Sequence, residues 1–196
     1  MPDSSVAGFL TPTSAAPQND LSLDDILQLI VVGLSGLPGA NVRSPSWPIT
    51  PKEPADVATN WAAVGVTSIS SLPFPIIEHD GTSQGSDQLT THETIAALLS
   101  FYGPRGQEYA SIARDGIYLQ QNHGMLAQYE MALVGVGPIR CIPELINQQY
   151  RRRYDFTLTL RRKVTRVYEI RNFASAEVQL TTDDTPPFTA DIAVSE

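Results

Sequence analysis

The chain has 196 residues, a net charge of −8 and 42% hydrophobic residues, a composition typical of a globular domain and not of a disordered chain. Its single cysteine excludes an intrachain disulfide and a cysteine-based zinc site. No apolar stretch approaches the roughly 20 residues of a membrane helix, and the start lacks a signal-peptide pattern, so we expect neither membrane association nor export by that route.

The N-terminal region predicts an arm followed by a helix. Residues 1–20 are rich in Ser, Pro, Ala and Thr and have no apolar periodicity, which predicts a flexible arm. A first helix is predicted from Ser22, as its N-cap, to about Leu34, because apolar residues recur there at helical spacing. Gly36 and the residues after it end the helix. The connection that follows contains four prolines, which predicts no regular structure.

The middle of the chain predicts strands. Residues 61–69 have the alternation of β-branched side chains that is typical of a strand, and residues 73–79 are a further strand candidate. A turn is predicted over residues 80–87 from their Gly, Ser and Asp content. Residues 89–102 predict a long strand whose second half is buried on both faces.

Helical spacing returns after Gly103. Residues 107–120 predict a second helix, with a buried stripe that includes Tyr109, Ile112, Ala113 and Ile117. Asn122 is the predicted cap of a further short helical turn. The strand-like stretch 131–142 is interrupted by Gly and Pro near its middle.

The C-terminal third predicts one very long strand. Residues 154–160 alternate between apolar and polar side chains, and strand propensity continues over residues 161–173. Because that stretch contains no Gly or Pro, a long bent strand is favoured over a hairpin at Arg162. Residues 181–196 predict a loose acidic tail.

These elements together predict an α+β fold. We expect a mixed, mainly antiparallel β-sheet flanked by two or three helices, with a long projecting strand or β-arm and flexible termini. The predicted division is an N-terminal arm over residues 1–20, one domain over residues 21–180 and the acidic tail over residues 181–196.

A basic segment lies within this acidic chain. Between Tyr150 and Arg171 there are eight basic residues and two acidic ones, so the rest of the chain is strongly acidic. Three interpretations are open: a solvated strand face, pairing with acidic neighbours, or proximity to DNA. The candidate subunit-interface or DNA-channel residues are Arg151, Arg152, Arg153, Arg161, Arg162, Lys163, Arg166, Tyr168 and Arg171.

Two catalytic patterns are present only in outline. Gly81–Gly85 matches the G-x-S-x-G elbow of hydrolases, and Asp115 and His123 follow in the hydrolase order, but strand-like residues follow the elbow instead of a helix. His92 begins a zincin-like pattern that lacks its second histidine. We therefore predict no catalytic residue, no metal site and no cofactor.

From about Trp47 to Ala176 the chain resembles the neck-terminator and tail-terminator family of tailed phages, whose members join head to tail. The order and spacing of many residues carry this resemblance, and no single motif does. These residues are Trp47, Pro54, Trp61–Ala62, His79, His92–Glu93, Ser100–Gly103, Arg114–Gly116, Asn122, Pro143–Glu144, Arg153, Asp155, Arg161–Arg162, Arg166, Tyr168 and Asn172.

The resemblance implies a structural virion protein and supplies no catalytic residue. It implies a ring that joins the neck to the tail or terminates the tail tube, with six copies expected because tail tubes have that symmetry in this class of virus. Its partners would be further copies of itself and the neighbouring neck, connector and tail proteins, at the neck–tail junction of a virion assembled in the host cytoplasm. The alternative function is a channel component that contacts nucleic acid through residues 151–171.

Overall fold

The structure, a computed structural model, describes residues 3–44, 54, 56, 58–146, 149–172, 175–182 and 185–193. Trp47 and most of the predicted proline-rich connection lie outside these residues. The helices are α1 (Asp20–Ser35), α2 (Gly106–Gly116) and α3 (Gln120–Ala127). The strands are β1 (Val42–Arg43), β2 (Trp61–Ser71), β3 (Ile76–Asp80), β4 (Ser86–Tyr102), β5 (Met131–Val136), β6 (Arg140–Ile146), β7 (Gln149–Tyr168), β8 (Ser175–Thr182) and β9 (Thr185–Ala193).

The main sheet is mixed and mainly antiparallel, which confirms the predicted α+β class. It contains seven strands in the order β1-β2-β4-β7-β5, with β3 also paired to β4 and β6 to β7. The short β1 runs parallel to β2, whereas β2 with β4, and β5 and β6 with β7, pair antiparallel. Strands β8 and β9 form a separate antiparallel pair.

The chain divides into two compact units. The larger unit comprises Ala16–Pro75 and Thr90–Thr165 and contains all three helices. The smaller unit comprises Met1–Ala15, Ile76–Leu89 and Arg166–Glu196. Strands β4 and β7 are 17 and 20 residues long, and each contributes residues to both units. The prediction of one unbroken strand through Arg162 is confirmed.

The core of the larger unit lies between one face of the sheet and the helices. Alternation along β7 buries Tyr154, Phe156, Leu158 and Leu160. The ring of Phe156 stacks on that of Phe101 from β4, with 5.9 Å between the ring centroids. Side chains of α1, α2 and α3 belong to the same apolar cluster, so this is the helix-covered face.

The prediction that the second half of β4 is buried on both faces is wrong for most of its length. Ile95, Ala97 and Leu99 are fully buried, but Ala96 and Leu98 between them are partly exposed. The reason is that the helices cover the face to which the odd-numbered residues point, and the opposite face stays partly open.

Helix α1 begins two residues earlier than predicted. Asn19 is its N-cap, and the Ser22 hydroxyl lies inside the helix and donates to the Asn19 carbonyl at 2.7 Å. Its predicted end is confirmed, since Gly36 adopts a φ of 72° and its N–H donates to the Val32 carbonyl.

Helices α2 and α3 differ from the prediction in two residues. Ile112 is 45% exposed, because the buried stripe of α2 follows Ala110 and Ala113. Asn122 is not a cap: Leu119 precedes α3, and the Asn122 side chain donates from Nδ2 to the Gly116 carbonyl at 2.6 Å. That hydrogen bond ties α3 to the end of α2.

The two predicted terminal segments contain hydrogen-bonded backbone. Within the smaller unit, the Thr13 N–H donates to the Val167 carbonyl at 2.8 Å, and the Ser4 N–H donates to the Glu169 carbonyl at 3.2 Å. Residues 185–193 of the predicted loose tail form β9, a correction that fits the alternation of apolar and polar residues from Phe188 to Ile192. The three-part division of the chain stays a prediction.

Candidate assembly surface

The predicted basic segment lies on β7 and just beyond it, and strand alternation separates its members. Leu160, Arg162 and Val164 point to the helix-covered face and are buried. Arg161 and Lys163 point to the opposite face and are exposed. Arg152, nearer the start of the strand, is also exposed. The segment is therefore not one continuous basic patch.

Arg162, one of the predicted interface residues, is buried within the subunit. Its side chain is 5% exposed and forms an ion pair with Glu93 of β4, with 2.7 Å between Nη2 and Oε2. Asn19 Oδ1 and the Gln18 carbonyl, both just before α1, accept its other hydrogen bonds. Burial of this cation is tolerated because each of its nitrogens has an oxygen partner.

Arg153 is also engaged within the chain. Its Nε lies 3.0 Å from the carboxylate of Asp155, which is 4% exposed, and its Nη1 lies 3.4 Å from Glu144 on the neighbouring strand β6. The neighbouring Arg151 is partly buried. These two arginines therefore present less of their charge to a partner than Arg152, Arg161 and Lys163 do.

In the smaller unit, Arg171 is tied to the N-terminal segment. Its guanidinium lies 2.6 Å from Asp3 Oδ2, and its backbone N–H donates to Ser4 Oγ at 2.7 Å. Hydrogen bonds from Ser5 and Arg171 lower the pKa of Asp3 to about 2. Arg166 and Tyr168, which precede it, are partly exposed.

His79, at the end of β3, is hydrogen-bonded through both ring nitrogens. Nδ1 lies 2.6 Å from Asp87 Oδ1, and Nε2 lies 2.9 Å from Asn172 Oδ1. The Asn172 amide is oriented by its own Nδ2, which donates to the Gly81 carbonyl at 2.5 Å. Both neighbours of the ring are oxygen acceptors, an arrangement that favours the protonated ring, in which both nitrogens donate. The hydrogen bonds to Asp87 and Asn172 accordingly raise the pKa of His79.

The backbone is shaped to fit this contact. Gly85, in the turn between β3 and β4, has a φ of +89°, and a Cβ there would meet the Asn172 backbone nitrogen at 2.8 Å. Only glycine fits at that position. The Asn172 N–H donates to the neighbouring Gln84 carbonyl at 3.2 Å, so the turn and the segment after β7 are joined by backbone as well as side-chain hydrogen bonds.

We expect His79 in the folded chain to stay protonated above its ordinary pKa of 6.5. Because folding raises this pKa, the stability that the contact contributes is fully present below pH 6.5 and is lost as the pH rises through the folded-state pKa. Asp87→Ala removes the largest cause of the shift, so the midpoint should fall. An NMR titration of the His79 ring protons measures it.

Glu78→Ala is the matched control, because it removes a neighbouring exposed carboxylate that makes no hydrogen bond to the ring. Asp80 also faces His79 but contributes least to the rise in its pKa. An unchanged His79 midpoint in Asp87→Ala would contradict the assignment.

The catalytic patterns do not acquire the structure that they need. Gly81–Gly85 forms the turn between the paired strands β3 and β4, whereas a nucleophile elbow requires a strand followed by a helix. His92 and Glu93 lie on strand β4, and Glu93 is the ion-pair partner of Arg162. Among the described residues no group of His, Cys, Asp and Glu could hold a metal ion, and no helix could cross a membrane.

Comparison with protein families gives a match over most of the chain. The model of the family described as phage neck terminator protein matches residues 21–184, well over half of the chain. The chain belongs to the phage neck terminator family. A search of curated proteins gave no match. The resemblance inferred from the sequence is confirmed, and the protein is a structural component of the neck or tail region of a phage virion.

The surface of this neck terminator also carries acidic residues that the sequence alone did not single out. Asp25 on α1 and Glu130 after α3 are exposed, and neither forms an ion pair in the described part of the chain. The same is true of Arg161 and Lys163 on the open face of the sheet. Opposite charges are thus presented from different sides of the larger unit.

The neck terminator also exposes apolar residues beside its helices. Leu29, Met125, Tyr118 and Leu119 are each about half exposed or more. Phe74 is 86% exposed in the turn between β2 and β3. The sequence contained a signal for the exposed Phe74, because this residue stands between two prolines in the apolar run that follows strand β2.

Proposed function

We propose that this neck terminator is a ring-forming subunit whose copies meet through opposite charges on two different faces. The ring joins the neck to the tail or terminates the tail tube. The observation that carries the proposal is the exposure of Arg161 and Lys163 on the open sheet face, against Asp25 and Glu130 on the helix side. A contact between two different faces is heterologous, and such contacts close into rings when the rotation between copies permits.

Repulsion between like charges favours this contact over a solvated strand face. Arg161 and Lys163 are side by side on one face of β7, where like charges repel when no anion is near. The acidic excess of the rest of the chain gives every copy anions for its neighbour's cations. We expect six copies, with the adjoining neck and tail proteins as the other partners in the virion.

We expect Arg161→Glu with Lys163→Glu to abolish ring formation and to leave the fold intact. Both side chains are exposed, and such substitutions change the free energy of unfolding by about 0.5 kcal/mol or less. Native mass spectrometry measures the stoichiometry, and thermal unfolding checks the fold. Arg162 is left unchanged, because reversing a buried, paired cation would unfold the subunit.

Arg105→Glu with Arg140→Glu is the control, since it changes the net charge equally at exposed arginines outside the segment. Asp25→Lys with Glu130→Lys, added to the first pair, should restore rings by exchanging the two charge sets. A wild-type chain that is monomeric at all concentrations and absent from purified virions would overturn the proposal.

The variant Arg161→Glu with Lys163→Glu also distinguishes the subunit contact from the alternative function, contact with nucleic acid in a channel. If Arg161 and Lys163 face the channel, their reversal leaves rings intact and weakens DNA binding, with a reduced dependence of affinity on salt. Rings that persist with altered DNA retention would therefore favour the channel role over the subunit contact.

A further inference from the structure

An apolar groove lies between helices α1 and α3 of the larger unit. It has a volume of about 240 Å³ and is lined on its walls by Leu29, Ile30 and Gly33 from α1 and by Met125 and Tyr129. Leu29 is 57% exposed and Met125 is 50% exposed, so the groove is open to solvent. A Cβ on Gly33 would meet nothing within 4 Å, which shows that the helix wall there is uncovered.

An exposed aromatic side chain, Phe74, projects elsewhere on the larger unit. Phe74 is 86% exposed and stands between Pro73 and Pro75. Proline fixes its own φ and restricts the residue before it, so the phenylalanine is held in few conformations. A side chain presented on such a segment loses little conformational freedom when it docks.

The charges around these two features are opposite. Asp25 precedes Leu29 by four residues and therefore lies on the same side of α1, and Glu130 follows Tyr129 directly. Both acids are exposed, and each is a sequence or helix neighbour of a residue that lines the groove. A partner for this groove should thus combine an apolar knob with positive charge.

Lys163 lies one strand away from the segment that carries Phe74, across β4. The N–H of Leu72, two residues earlier, donates to the carbonyl of His92 on β4 at 3.1 Å. Thr90 lies two residues before His92 on β4, and its hydroxyl lies 3.4 Å from the hydroxyl of Thr165 on β7. Thr165 follows the exposed Lys163 by two residues. The segment that carries Phe74 therefore leaves the sheet at the level of Lys163 on β7, with strand β4 between them.

We propose that the groove between α1 and α3 receives Phe74 of a neighbouring copy, with Lys163 of that copy facing Asp25 and Glu130 at the rim. The proposal rests on the ring function above and names its apolar contact. It places the inserted side chain, Phe74, on one face of the subunit and the groove that receives it on another, which is the arrangement of a heterologous interface. Buried aromatic anchors of this kind dominate the affinity of protein interfaces.

Phe74→Ala should weaken association between copies about tenfold or more, as measured by native mass spectrometry over a concentration series. Gly33→Leu should weaken it similarly, because the new side chain fills the groove at a position where the fold leaves room. Phe9→Ala is the control, since Phe9 is 99% exposed but lies far from Phe74 in the sequence.

A cross-linking experiment tests the contact directly. In a Cys141→Ser background, which removes the exposed native thiol, Phe74→Cys with Met125→Cys should form disulfide-linked oligomers under mild oxidation. Phe9→Cys with Met125→Cys should not. A cross-link from position 9 instead of position 74 would assign the groove to the N-terminal segment and overturn the proposal.

The failures of the two proposals are distinguishable. Rings that survive Phe74→Ala and Gly33→Leu, without a cross-link between positions 74 and 125, overturn the knob-and-groove contact and leave the ring function standing. A wild-type chain that stays monomeric overturns both.

Discussion

Phe156→Asp should abolish folding of the larger unit. Phe156 is 3% exposed, stacks on Phe101 and lies on the buried face of β7, the strand between β4 and β5 in the sheet. Loss of the ring costs about 3–5 kcal/mol, and burial of an unpaired carboxylate costs several more. Together these costs match the roughly 5–15 kcal/mol by which a domain of this kind is stable. Circular dichroism and thermal unfolding should show no cooperative transition.

Thr159→Asp is the control for that substitution. Thr159 lies on the same strand but points to the opposite, partly exposed face, so a carboxylate there keeps access to water. A cooperative transition in Phe156→Asp near the wild-type temperature would mean that the two faces of β7 have been assigned the wrong way round.

Arg162→Ala should destabilise the chain by about 3–5 kcal/mol, because it leaves the partly buried Glu93 carboxylate without its cation. The same variant removes the donor for Asn19 and Gln18, so the start of α1 loses its attachment to β7. Chemical denaturation of the variant measures the loss. Arg161→Ala, one residue earlier on the exposed face, should change the free energy of unfolding by about 0.5 kcal/mol or less.

The double variant Glu93→Met with Arg162→Met distinguishes the contribution of the ion pair to stability from the cost of leaving one charge unpaired. Replacing both charges by apolar side chains removes the unpaired carboxylate, so it should be less destabilising than Arg162→Ala alone. A loss in Arg162→Ala as small as that in Arg161→Ala would show that the ion pair contributes nothing to the fold.

The basic segment contains two groups of residues that differ in their surroundings. Arg162 and Arg153 hold strands and the start of α1 within the subunit, and Arg171 holds the N-terminal segment. Arg161 and Lys163 have no such partner in the described chain. Residues that look alike in the sequence therefore divide into internal supports and surface charges.

The sequence by itself determined the class of fold, the long strand β7 and the family. The alternation from Tyr154 to Leu160 has the period of a strand, and no Gly or Pro breaks the stretch after it, so the local signal was sufficient. The apolar spacing of α1 and its end at Gly36 were likewise local properties. The order and spacing of residues from Trp47 to Asn172 carried the family resemblance.

Only the tertiary structure decided which charges of the basic segment are exposed and which are buried. The strand pattern placed Arg162 with Val164, but burial of that face depends on the helices that pack on it and on Glu93, which is distant in sequence. The raised pKa of His79 similarly depends on Asp87 and on Asn172, which lies against the turn at Gly85. Periodicity reports the side of an element on which a residue lies, and the environment of that side is set by long-range packing.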